Sequence, residues 1–198
     1  MKKVSWIAAL VTLAVLLGSC GPATPAPTAV PTAAPTAVPT TPPTMTVTVY
    51  FGNTALNPGA QDCSKVYPVQ RIAPFSADVA GAALQQLFLG PTPAEKENGY
   101  VSTFSAATRD ILIRVRVRGD TAYVDLNDVR QIIPNASTSC GSAAFLAEMG
   151  TTVQEAAKVR RVLYAMAGDP APFWEWLQIG CAPENDNCDQ APFRDDTQ

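Results

Sequence analysis

From Thr46 to Phe51 the chain reads Thr-Val-Thr-Val-Tyr-Phe. Val47 and Val49 alternate with polar Thr, which is the period of a half-buried strand. Residues 52–65 are rich in Gly, Asn and Pro and read as a loop. Residues 66–74, VYPVQRIAP, read as a second strand. Pro68 has no N–H to give a ladder, so it assigns that strand to an edge or places the Pro at its start. Ala80, Ala83, Leu84, Leu87 and Phe88 then recur at helical spacing. Ser76 is a candidate N-cap, with Asp78 in the first turn, and Gly90-Pro91 ends the helix. One further helical turn is expected near residues 94–98.

The strongest local pattern is ILIRVRVRGDTAYVDL, residues 111–126. Gly119-Asp120 fits a two-residue hairpin turn. Pairing outward from Arg118 opposite Thr121 sets Val117 against Ala122, Val115 against Val124 and Ile113 against Leu126. The other face then carries Arg116 opposite Tyr123 and Arg114 opposite Asp125. One register yields an apolar face together with a complementary polar one, which specifies it. Arg118-Gly119-Asp120 also spells an integrin-type adhesion triplet, but the turn accounts for all three residues.

A second helix follows over residues 139–158, with Phe145, Met149, Thr152, Val153 and Ala156 on one face. Residues 159–169 end the pattern as a strand in which Val162, Tyr164 and Met166 alternate with Arg161, Leu163 and Ala165. The expected order is β-β-α-β-β-α-β, an α+β fold. Two helices would cover one face of a mixed sheet. The face carrying Arg114, Arg116, Tyr123 and Asp125 would be free to meet water or a partner.

The N-terminal residues change the picture of where this domain resides. Lys2 and Lys3 precede an apolar run from Val4 to Leu17, too short for a hydrocarbon core of about 30 Å but suited to a signal peptide. Leu17-Gly18-Ser19-Cys20 resembles a bacterial lipobox, which implies a diacylglyceryl group on Cys20 after cleavage. Residues 21–44 combine Pro, Ala, Thr and Val with no charged or aromatic side chain. They read as a disordered linker, and a polyproline II segment of that length reaches about 70 Å. The expected division is a signal peptide over 1–19, lipidated Cys and linker over 20–44, a folded domain over 45–180 and a Cys-containing tail over 181–198. A membrane would then be the first partner, held through the lipid from the extracytoplasmic side.

Composition narrows the chemistry. The 198-residue chain has no His, which excludes Ser-His-Asp and Cys-His nucleophile arrangements. Its net charge is −3 and becomes −5 once Lys2 and Lys3 are removed, so nucleic acid is not an expected partner. Five cysteines leave one over after pairing. Cys181 and Cys188 enclose only six residues and are natural partners, which leaves Cys63 with Cys140 and Cys20 for lipid. No Cys-x-x-Cys pair suggests a metal, and no cofactor motif occurs. The acidic loop with Glu184, Asp186 and Asp189 lacks the EF-hand spacing and reads as solvated.

Taken together, VTVYF, VYPVQRIAP, LFLGPTPAEKENGY, RGDTAYVDLND and VRRVLYAMAGD resemble the GerMN (sporulation and spore germination) domain over about residues 46–169. The stretch from Leu87 to Tyr100 is the most specific part. The resemblance implies an α/β module on secreted or lipid-anchored bacterial proteins, without catalytic activity, that engages envelope proteins or itself. A single copy of the domain is present, and the tail after Asp169 lies outside the motif. In that tail Trp174 and Trp176 raise a second reading, an aromatic platform stacking on cell-wall sugars, against packing of the same rings in the core.

Overall fold

The computed structural model describes residues 42–182, 184 and 186–194. Cys20, the signal-like run and most of the linker lie outside the described residues. The domain is α+β, in the order β1 (Thr44–Asn53), β2 (Tyr67–Pro74), α1 (Val79–Phe88), α2 (Pro93–Glu97), β3 (Tyr100–Val101), β4 (Leu112–Arg118), β5 (Thr121–Leu126), α3 (Ser139–Ala157), β6 (Arg161–Met166) and α4 (Pro170–Trp176).

Where one mixed sheet was expected, the strands divide into two sheets of three, β2-β1-β3 and β4-β5-β6. β1 pairs antiparallel with β2 from Thr44 opposite Pro74 to Phe51 opposite Tyr67. Val47, Val49 and Phe51 point inward from it and are buried. β2 is an edge strand, as Pro68 requires. β3 pairs through Gly52–Val101 and Asn53–Tyr100, so among the described residues most of the other edge of β1 has no strand beside it. Helix α3 covers that edge. Tyr50 N donates to Thr152 Oγ1 at 3.1 Å and Gly52 N to Glu148 Oε1 at 3.3 Å. Two side chains one turn apart on a helix thus accept bonds from a strand edge.

In the second sheet β5 is central, antiparallel to β4 and parallel to β6, with α3 as the crossover between the parallel pair. The hairpin keeps five of the six expected pairs: Arg118–Thr121, Val117–Ala122, Arg116–Tyr123, Val115–Val124 and Arg114–Asp125. The exception is Ile113. A bulge between Leu112 and Arg114 puts Leu112, not Ile113, opposite Leu126, and leaves Ile113 43 % exposed. Val117 lies near the hairpin tip and is also exposed.

Helix α1 starts two residues later than its Ser76 signal suggests. Asp78 is the N-cap and accepts from Gly81 N at 2.8 Å, while Ser76 Oγ accepts from Asp78 N. The face of Ala80, Ala83, Leu84, Leu87 and Phe88 is fully buried against α3 and β1. One continuous core joins both sheets, running from Val49 and Phe51 through Phe88, Phe104 and Phe145 to Tyr164 and Phe173. Both expected disulfides are present, Cys63–Cys140 and Cys181–Cys188. The first ties the β1–β2 loop to the start of α3.

Candidate functional site

The stretch from Leu87 to Tyr100 folds into a clasp between α1 and the first sheet. Gly90 has φ +71° and sits so close to the Phe104 carbonyl that a Cβ would collide with it. Thr92 and Glu95 form a reciprocal capping box at the start of α2. Glu95 also pairs with Arg71 of β2, whose guanidinium donates further to the carbonyls of Gln86 and Gly90, each at 2.9 Å. Burial alone would raise the Glu95 carboxyl. Hydrogen bonds from Arg71 and from the Thr92 backbone outweigh it and hold the group below its ordinary value. Tyr100 closes the clasp by donating to the Pro68 carbonyl at 3.2 Å. The most specific motif in the chain is therefore architecture: it fixes the end of α1 against β2.

The polar hairpin face does not stand open to solvent. Residues 191–193 form a short 3-10 turn that crosses it as a strap. Phe193 is 2 % exposed and meets the Tyr123 ring edge-on at 5.6 Å. Arg114 donates to the Phe193 carbonyl and Arg116 to the carbonyls of Pro192 and Arg194. Asp125 is buried, paired with Arg114 at 3.4 Å and accepting from Gly168 N at 2.8 Å. The structure thus brings Arg114, Arg116, Tyr123 and Asp125 together as expected, but their common occupant is the chain's own tail. The alternation pattern could not reveal this, because Phe193 is a lone aromatic in a polar terminal stretch.

The tail tryptophans are likewise placed among core rings. Trp174 is 8 % exposed and packs edge-on against Tyr164 and Phe173. Trp176 is half-buried and meets Phe145 edge-on at 5.5 Å. They do not form the exposed pair of parallel faces that sugar stacking uses.

A site that the sequence reading missed lies between β1, β3, α3 and the β1–β2 loop. A cavity of about 240 Å³ is lined by Asn53, Lys65, Val101, Thr103, Ala144 and Glu148, with the Cys63–Cys140 disulfide as part of its wall. Glu148 is 2 % exposed. Ser102 Oγ donates to its Oε2 at 2.5 Å, and Gly52 N to its Oε1. Burial raises its carboxyl from the ordinary 4.5 to about 8, against the opposing pull of those two hydrogen bonds. Its signal was in the sequence: Glu148 sits at helical spacing from Phe145 and Thr152, inside the apolar stripe of α3. Among the described residues no group of three or more acidic or Cys side chains is placed to hold a metal ion. No described helix is long and apolar enough to cross a membrane.

A two-sheet α+β domain closed by a clasp, a strap and two disulfides is the class of module that these features define. The chain belongs to the Germane family, described as sporulation and spore germination, whose model matches residues 48–171. No curated protein and no solved structure matched the chain.

Proposed function

We propose that this chain is an extracytoplasmic lipoprotein whose Germane domain serves as a non-enzymatic interaction and assembly module at a bacterial cell envelope, in a sporulation- or germination-related process. The observation that carries the reading is the cysteine inventory. Four cysteines are joined in two disulfides, which favours an oxidising compartment. The fifth, Cys20, stands directly after an apolar run and Leu-Gly-Ser, where a lipobox would place it. Membership of the Germane family supports the assembly role and the process. The strapped hairpin face does not serve as its docking surface while the tail is in place.

Fractionation of cells carrying Cys20→Ser tests the anchor. The variant should leave the membrane fraction or accumulate as an unprocessed precursor. A variant processed and retained like the wild type would overturn it. Cross-linking in cells, followed by mass spectrometry, tests the assembly role by the recovery of a defined envelope protein or a second copy.

A further inference from the structure

We propose that the cavity beside Glu148 is a binding site for a small primary ammonium group carried on a short apolar body. The inference goes beyond the assembly role and does not depend on the anchor. It stands first on geometry. The cavity, at about 240 Å³, has room for several water-sized groups, each about 30 Å³ in the liquid. Its lining is chemically mixed. Val101, Ala60, Ala144 and the disulfide contribute apolar surface. Glu148, Ser102 and Thr103 are among the polar groups that line it.

Among these groups Glu148 is short of partners. An ionised carboxylate has about four lone-pair positions. Here the two oxygens accept one hydrogen bond each, both from neutral donors. Among the described residues no cation pairs with Glu148. A second acceptor belongs to the same lining: Thr103 Oγ1, next in sequence to the Ser102 that donates to Glu148, is buried with no hydrogen-bond partner. A buried carboxylate without a counter-ion is unfavourable, and an incoming cation relieves that cost. An ammonium brings three donors, enough for Glu148 and Thr103 together. A neutral hydroxyl of the same size could share the hydrogen bonds but would gain nothing from the charge.

The other charged groups facing the cavity are Asp62 and Lys65, both on the β1–β2 loop. The stretches of β1 and β3 that line it contribute none. Glu148, raised to about 8, is therefore the group that titrates against an incoming cation. At pH 7 only about a tenth of it is ionised, and at pH 9 about nine-tenths. A primary ammonium resembles Lys, with a pKa of about 10.4, and stays charged across that interval. Binding at pH 7 must then release the Glu148 proton to the buffer.

Titration calorimetry of the full chain with n-butylammonium chloride tests this, with 1-butanol as the neutral control. The Kd for n-butylammonium should fall about tenfold from pH 7 to pH 9. At pH 7 close to one proton should be released per molecule bound, read from the dependence of the heat on buffer ionisation enthalpy. Glu148→Gln should abolish both effects. Absence of binding, equal binding of 1-butanol, or a pH-independent affinity in the wild type would each overturn the proposal. So would a pH dependence that survives in a folded Glu148→Gln chain. The proton release is measured on the wild type, so the test stands even if the variant does not fold.

Discussion

Replacing Phe193 with Ala tests whether the C-terminal strap is a structural part of the domain. Phe193 is 2 % exposed, and truncating a buried Phe to Ala costs about 3–5 kcal/mol where the rest of the site stays in place. Of that, about 0.5–1.5 kcal/mol belongs to its edge-on contact with Tyr123. The cost has a ceiling, since a strap that detaches altogether loses only its own docking energy. Two arginines hold its carbonyls, and hydrogen bonds from charged donors contribute about 1.5–3 kcal/mol each when well formed. The ceiling is therefore not low, and about 3 kcal/mol is expected. Urea titration followed by the fluorescence of Trp174 and Trp176 reports the change as a lowered midpoint. Arg116→Ala should lower it in the same direction by about 1–2 kcal/mol, because Arg116 grips the strap. Losses below about 1 kcal/mol for Phe193→Ala would refute the reasoning. They would mean that the tail lies off the sheet in solution and the arginine face is open.

Further outcomes follow from Glu148 and from the two disulfides. The Glu148 carboxyl is raised from 4.5 to about 8 in the fold, so the folded chain holds a proton that the unfolded chain releases. Its contribution to stability is complete below pH 4.5 and is lost as pH rises through 8, by up to about 5 kcal/mol. Glu148→Gln should flatten that decline, measured by urea midpoints between pH 5 and pH 9. Replacing Cys63 and Cys140 together by Ser opens a loop of 77 residues and should cost about 4.5 kcal/mol in the chain-entropy treatment. The Cys181–Cys188 pair, which closes a separation of 7, should cost about 2.4 kcal/mol. Thermal melts that show the shorter loop mattering more would contradict this order.

Much of the framework was legible because local chemistry decided it. Gly119-Asp120 fixed the hairpin register, and the spacing of Ala80, Leu84 and Leu87 fixed the buried face of α1. The cysteine spacing gave both disulfides. What stayed hidden depends on distant neighbours. The bulge at Ile113 breaks an otherwise unbroken alternation. The division into two sheets follows from α3 taking the place of a strand beside Tyr50 and Gly52, a role that no periodicity expresses. The strap rests on Phe193 finding Tyr123, seventy residues away in the chain. Glu148 was visible as a carboxyl inside an apolar stripe, but only the fold shows that a cavity opens beside it.

The position of β1 has a mechanical consequence. The covalent chain enters the domain at that strand, so tension carried along the chain from its N-terminal side reaches the fold there. β1 is the middle strand of its sheet. Drawing it out would have to shear the ladder to β2 on one side and break the bonds to β3, Thr152 and Glu148 on the other. An edge strand would give way along a single row of bonds, one after another. If the N-terminal segment is held, as the proposed anchor would hold it, a domain built this way would resist being pulled apart there.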